Sequence, residues 1–451
     1  MSRAVISILG IQGGFVANGK ANFSNANHRA EYYFEGSSDK KEYFNTLPLL
    51  AERYSRDYTI VPIYTKESKI FNQEVLSSFY PNISVSFEDK YLIRDEKNFK
   101  DIFSLFNDTI EAFDEVIIDV THGFRHLPLL MLIDLMIVNF RNIDKIKKIL
   151  FAKEIIKHTP KERGSYEIID LKEYLDLANI SYALSTFSRN YTVSSNIKTS
   201  NAIYNEFLKD LSEFSKHILA NSLDALIVST NKKKSISSKL IQNIDKILKE
   251  KEDILQNFSP FLEDIREHIA MIESYKELKY YQRLYQLSRN MKEKGYLLNA
   301  ITLLSEAVGL YTKEIFKEIN PDVKSFIEEF ENKVKQHKHN NSKYHLYSLS
   351  SQSKTLYKLN SGFNGNFLKI TKSPNDKERK FNRKSAKITI RIKNYLLNIE
   401  DNKEYKEMVD LINTIDILRN NLAHGNSSNR LEDVEKDIQN VLDRFEIGAK
   451  L

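Results

Sequence analysis

The sequence predicts an α/β domain built on a Rossmann-like parallel sheet at the N-terminal end, followed by an all-α helical domain. Three observations carry that expectation. Short apolar, β-rich runs alternate with segments of helical periodicity as far as about residue 175. From there to about Ile319 the pattern is almost wholly helical, rich in Leu, Ile, Lys and Glu, with few breakers. At 451 residues the chain is also too long for a single core.

The elements follow in order. Ala4 to Leu9 is a short apolar run, expected as a buried strand, and ends in the loop Gly10-Ile11-Gln12-Gly13-Gly14-Phe15; the chain is then polar to Arg29. A strand entering a glycine-rich loop is how nucleotide-binding α/β domains begin, although the spacing is not GxGxxG. Ala30 to Glu35 reads as a second strand, and Ser37-Ser38-Asp39 offers N-caps for a helix through about Ser55. Tyr58 to Tyr64 is β-rich, a helix runs from there to about Tyr80, and Ile83 to Phe87 reads as a strand. Asn98 to Phe113 has helical periodicity, and Glu115 to Val120 is strongly β-like. Leu127 to Phe140 reads as a buried helix with Pro128 in its first turn, and Ile146 to Ala152 and Tyr166 to Ile169 as strands. Strands separated by helices of this length predict a parallel sheet with helices on both faces.

Beyond residue 175, Tyr191 to Asn201 is rich in Ser, Thr and Asn and reads as a hinge region. Asn340 to Asn366 reads as a long loop or insertion, and Lys372 to Lys393 is dense in Lys and Arg. A helix is expected from about Lys403 to Ala423 and a last one over Leu431 to Phe445. The expected division is 1–175 for the α/β domain, 176–290 for a helical connector, and 291–451 for the second domain, with an insertion around 340–393.

Composition narrows the function classes. The absence of cysteine excludes disulfides and thiolate chemistry and fits a reducing compartment. There is no run of about 18 apolar residues and no signal-peptide pattern, so a cytoplasmic protein without membrane partners is expected. A net charge of +6 permits a nucleic-acid partner without demanding one.

Two stretches carry candidate chemistry. The strand Val116 to Val120 runs into Thr121-His122-Gly123-Phe124-Arg125-His126-Leu127-Pro128. In an open parallel sheet, ligands sit at the carboxyl ends of strands. There Gly123 allows close backbone approach, Arg125 offers a fork matched to phosphate, and Phe124 a face for a base. The Gly10 to Phe15 loop ends another strand of the same sheet, so the two can line one anion-binding basin. An ordinary strand-to-helix turn is the plain alternative. His122 and His126 have a spacing compatible with metal, but no third His or carboxylate is near, and no metal site is expected.

The second stretch is Ile415 to Gly425, which closes a helix with Arg419, Asn420, Asn421, His424 and then a glycine suited to the position past the end. Arg presents a permanent planar charge to phosphate oxygens, and His can move a proton near neutral pH. A solvated helix terminus is the alternative, since both residues suit the helix dipole there.

Together these stretches resemble a known family. Asp119-Val-Thr-His-Gly-Phe-Arg-His-Leu-Pro128 is similar to the ligand-loop signature of CARF domains in CRISPR-associated proteins of type III systems. Arg419-Asn-Asn-Leu-Ala-His424 matches the Arg-x4-His motif of HEPN ribonucleases, and Gly295 to Leu310 resembles the first long helix of such a domain. The Gly10 region and Thr65-Lys-Glu-Ser68 fall where the family's other sensor loops lie. Gly10-Ile-Gln-Gly-Gly14 departs from the Gly-Thr expected there, and nothing in the family matches Asn340 to Lys393.

The resemblance implies an antiviral-defence RNase. Its CARF dimer would bind a cyclic oligoadenylate, with cyclic tetra-adenylate expected, through Gly10, Ile11, Gln12, Gly13, Gly14, Thr65, Ser68, Thr121, His122, Gly123, Phe124 and Arg125. Its HEPN dimer would cleave single-stranded RNA, with Arg419, Asn420 and His424 catalytic and neither cofactor nor metal required. Arg419 and His424 lie about 140° apart on an ideal helix, and one helix end is open to water. A C2 homodimer with a composite site, or a higher homo-oligomer, is therefore expected. Two alternatives stay open: a ligand-responsive nucleic-acid-binding regulator without catalysis, and a toxin-type HEPN nuclease with an unrelated sensor.

Overall fold

The computed structural model describes residues 1–451 apart from 13, 24–28, 124–125, 143, 158–162, 195–196, 200, 230–232, 250–257, 337–345, 360–364, 371–374 and 426–428. The chain divides into two compact units, Met1–Ser185 with Val193–Lys209, and Thr186–Thr192 with Asp210–Leu451.

The first unit is a seven-stranded, mostly parallel sheet. Its strands are β1 (Arg3–Ile8), β4 (Ala30–Phe34), β5 (Lys41–Tyr43), β6 (Thr59–Ile63), β7 (Glu115–Asp119), β8 (Ile146–Ile156) and β9 (Ser165–Asp170), in the order β5-β4-β9-β8-β7-β1-β6. β1 lies parallel between β6 and β7, and β7 is parallel to β8. The expected all-parallel sheet is modified at two places, where β8 pairs with β9 and β4 with β5 in antiparallel fashion. Side chains alternate across the sheet. Ala4, Ile6, Ile8, Val116 and Ile118 enter one apolar core, and Val5 and Ile117 the other.

Helices α1 (Thr46–Tyr54), α2 (Lys66–Phe79), α3 (Phe99–Glu111) and α4 (His126–Arg141) occupy the connections, and α5 (Lys172–Asn190) leads out of the sheet. Four expectations are corrected here. The polar stretch after Gly10 holds a separate hairpin, β2 (Gly14–Ala17) with β3 (Lys20–Phe23), turning at Asn18 and Gly19, both at positive φ. A type I′ turn needs that geometry, and Asn-Gly supplies it. The helix expected from Ser37 starts only at Thr46, capped by Asn45, because β5 forms first. Residues 83–87 form no strand. Helix α4 is buried on one side only, since Leu129, Ile133, Met136 and Ile137 are exposed.

The second unit is all helical. Its helices are α6 (Ala202–Leu219, beginning in the first unit), α7 (Leu223–Ile227), α8 (Ile236–Lys249), α9 (Ser259–Ser274), α10 (Tyr280–Glu293), α11 (Leu297–Ile319), α12 (Pro321–Gln336), α13 (Leu346–Tyr357), α14 (Asp376–Ile399), α15 (Lys403–Ala423) and α16 (Leu431–Ala449). Helix α11 is the centre; α10, α12, α13, α15 and α16 all pack on it. The expected loop over 340–366 is corrected by α13. Gly309 admits it: a Cβ on Gly309 would lie 2.4 Å from Ser350 Oγ, so the two helices touch at backbone distance. In the expected hinge, Tyr191 is not a solvated residue. It is buried at positive φ, and its hydroxyl meets His268 Nε2 at 2.5 Å.

Candidate functional site

In the first unit the candidate residues gather at the carboxyl ends of β1, β6 and β7. Ser7 and Asp119 are register partners on β1 and β7. Apolar neighbours bury both, so each needs a hydrogen bond. Ser7 Oγ donates to Asp119 Oδ2 at 2.7 Å, Thr46 Oγ1 to the same oxygen at 2.6 Å, and the Thr121 amide to Oδ1 at 3.1 Å. Asp119 thus ties the start of α1 to the loop after β7. Thr121 Oγ1 in turn accepts from the Ala152 amide at 2.9 Å.

His122 sits at the same junction. The Thr46 amide donates to its Nε2 at 3.3 Å, which makes Nε2 an acceptor and assigns the ring proton to Nδ1. Burial holds the imidazole pKa below its ordinary value, against the pull of Asp119. The ring is therefore neutral and helps to fix α1.

The glycine loops meet. A Cβ on Gly10 would lie 2.9 Å from the Gly123 amide nitrogen and 3.4 Å from His122 Cβ, and Gly123 itself sits at φ +100° against Ile8. A larger residue at Gly10 presses on the loop after β7, and one at Gly123 meets the Ile8 side chain and strains a positive φ. Asn72, buried within α2, joins the third loop: its Nδ2 donates to the Gly10 carbonyl at 3.1 Å, and its Oδ1 accepts from Asn45 at 2.8 Å. Thr65 and Ser68 form the capping box of α2, each side chain bonding the other's backbone amide. Gly14 opens the hairpin, where a Cβ would meet Asn22 and Phe71. Ile11 is exposed, while Gln12 Oε1 is buried and accepts no hydrogen bond among the described residues. Gln12 lies beside Tyr32 and Tyr166, whose rings stack at 5.1 Å, and burial pushes both phenols up. Gly13, Phe124 and Arg125 lie outside the described residues.

In the second unit α15 ends as its sequence suggests. Asn402 caps its start, and Tyr405, Met408, Leu411, Ile412 and Ile415 bury one face. His424 is the C-cap, its amide donating to the Asn420 carbonyl at 3.0 Å, and Gly425 follows at φ +65°. The helix stays wound through Ala423, so the angular offset of Arg419 from His424 persists. Asn420 and His424 are exposed and Arg419 is half-buried. Glu306 on α11 lies in the field of Arg419; burial raises its carboxyl, while Ser350, Lys354 and Arg419 oppose the rise.

One turn before Asn420, Asp416 is clasped by α13 and the residue after it. Lys354 Nζ lies 2.6 Å and Lys358 Nζ 2.8 Å from its two oxygens, and Lys354 Nζ also donates to Ser305 Oγ on α11 at 2.6 Å. Burial alone would raise the Asp416 carboxyl; the two lysines reverse this and hold it below the usual range. The segment expected to be an insertion is thus what anchors the motif helix.

Sequence reasoning missed Asn72, Asn45, Thr46 and the two lysines. An Asn on the apolar face of a helix, as Asn72 is, was a usable signal. Lys354 had none, because its partner lies 62 residues away.

No family model matches the chain. Among curated proteins it is similar to "CRISPR-associated protein MJ1674" of Methanocaldococcus jannaschii, 24% identical over 340 residues, which are 62% of this chain and 51% of that protein. The chain spans about half the length of the relative it matches. The likeness supports a CRISPR-associated protein. Among the described residues, no helix is long and apolar enough to cross a membrane.

Proposed function

We propose that this chain is an ancillary endoribonuclease of type III CRISPR antiviral defence, a homodimer in which a cyclic oligoadenylate bound by the first unit activates cleavage of single-stranded RNA by the second. The observation that carries it is the exposed His424 and Asn420 with half-buried Arg419 at the end of a helix held from behind by Asp416, Lys354 and Lys358. The likeness to a CRISPR-associated protein supports the biological setting.

The chemistry needs no cofactor. The RNA 2′-oxygen attacks the adjacent phosphorus, the bond to the 5′-oxygen breaks, and a 2′,3′-cyclic phosphate and a 5′-hydroxyl result. His424 of one copy removes the 2′-OH proton, and His424 of the second copy returns one to the leaving oxygen. Arg419 neutralises charge growing on the phosphate, and Asn420 hydrogen-bonds it. Two helix ends across a dyad bring both proton carriers to one phosphate despite the angular offset within each helix.

On the ligand side, the contact of Gly10 with Gly123 and the Gln12 Oε1, unanswered among the described residues, support a polar ligand at the rim. The exposed apolar row of α4, starting just past that rim, suits a second copy of the chain. Activation requires that the ligand bind the cleavage-competent arrangement more tightly.

The test is RNA cleavage in EDTA with and without cyclic tetra- and hexa-adenylate, comparing wild type with His424→Ala. Ligand-dependent cleavage that survives EDTA and disappears in the variant is expected. Ligand binding without any cleavage would instead favour a nucleic-acid-binding regulator.

A further inference from the structure

The Lys- and Arg-rich stretch of the second unit is built into its fold. From Asp376 to Ile399 it is one helix, α14, capped at its start by Asn375 and Glu378, whose side chains bond each other's backbone amides at 2.9 Å. Its inner face buries Phe381, Ser385, Ile388, Thr389, Ile392 and Leu396. Phe381 stacks on Phe326 of α12 at 4.6 Å, and Ser385 and Thr389 grip the Phe367 backbone at 2.5 and 2.7 Å. These contacts set which face of the helix is turned outward.

Its outer face carries Lys377, Lys380, Arg383, Lys384, Lys387 and Arg391, all exposed. At 3.6 residues per turn they fall within about 120° of arc. Lys384 pairs with Glu329, and Arg391 with Asp322. Among the described residues, Lys377, Lys380, Arg383 and Lys387 pair with no carboxylate. A folded surface ordinarily intersperses both signs. Four unanswered cations in successive turns of a fixed helix are a line of charge, and their counterpart is a line of opposite charge.

We infer that this face of α14 binds the phosphate backbone of the single-stranded RNA substrate, outside the cleavage site. The inference rests on the proposed RNase activity for the identity of the polyanion. Single-stranded RNA fits better than an acidic protein because its charges repeat regularly and release counterions when neutralised. The face has no exposed aromatic ring, so it reads charge and not base identity.

The experiment uses the full chain carrying His424→Ala, so that RNA stays intact, and a fluorescent single-stranded RNA of mixed sequence. Binding is followed by anisotropy across a salt series, with and without Lys377→Gln, Lys380→Gln, Arg383→Gln and Lys387→Gln combined. Each phosphate contact contributes about 0.7 to the slope of log K against log salt, so the fourfold variant should flatten it by roughly 3. The substituted residues are exposed, and an unchanged thermal melt checks the fold. An unchanged slope, or no RNA binding by the parent chain, overturns the inference. Cleavage assays on the wild-type chain and on the His424 form of the fourfold variant separate the two proposals. Ligand-activated cleavage with an unchanged slope sinks only the role of α14. A flattened slope together with no cleavage by the wild-type chain sinks only the RNase.

Discussion

Asp134 lies in the middle of α4, fully buried, with neither carboxyl oxygen accepting a hydrogen bond among the described residues. Burial first, then the nearby carboxylates Glu111 and Asp108, push its pKa from 3.8 up to about 6. In the unfolded chain the group titrates at its ordinary value. Between about pH 4 and pH 6 the folded state therefore holds a proton that the unfolded state has lost, so stability falls as pH rises through that window. Above it the first unit carries a penalty of about two pKa units, or roughly 3 kcal/mol. Asp134→Asn keeps the shape and removes the charge. At pH 8 it should stabilise the first unit by about 3 kcal/mol, a rise of roughly 6–12 °C in melting temperature for a unit of this size. At pH 4.5 the gain should be far smaller. The chain has 24 tyrosines and no tryptophan, so calorimetry, with hydrogen exchange on α3 and α4 to assign the transition, is the suitable assay. A variant no more stable than wild type at pH 8, or equally stabilised at both pH values, would refute an ionised, uncompensated Asp134.

Other consequences are open to direct measurement. Gly10→Ala drives a methyl group against the Gly123 amide; the displaced loops should weaken cyclic oligoadenylate binding about tenfold or more by calorimetric titration, with the second unit's melting unchanged. Gly309→Ala forces α11 from α13 and should lower the second unit's stability by about 1–3 kcal/mol in urea unfolding. Lys354→Met leaves Asp416 with only Lys358, and a loss of roughly 2–4 kcal/mol with reduced RNA cleavage is expected. The wild-type Asp416 contribution is present above the ordinary carboxylate range and fades as pH falls through its depressed pKa. Arg125→Ala should raise the ligand concentration needed for activation and leave unstimulated RNA cleavage as it was.

What the sequence determined by itself was local. Ala4 to Leu9 and Glu115 to Val120 became β1 and β7 because continuous apolar runs can be satisfied only inside a covered sheet. Residues 403–423 became α15 because apolar spacing, the Asn402 cap and the final Gly425 all agree. The hairpin was not read: Asn18-Gly19 is its signal, but the polarity around it reads as loop. Tertiary structure alone decided the partners. That Ser7 and Thr46 converge on Asp119, that Asn72 reaches Gly10, and that Lys354 and Lys358 hold Asp416 depends on chain segments from 58 to 112 residues apart. A side chain's neighbours across such separations are set by how helices pack and which strands lie adjacent, not by the residues flanking it. The same reason explains α13. Its Ser- and Tyr-rich sequence has little helical pattern of its own, and it winds because Gly309 opens a groove on α11 in which a helix, with its backbone bonds internal, can lie.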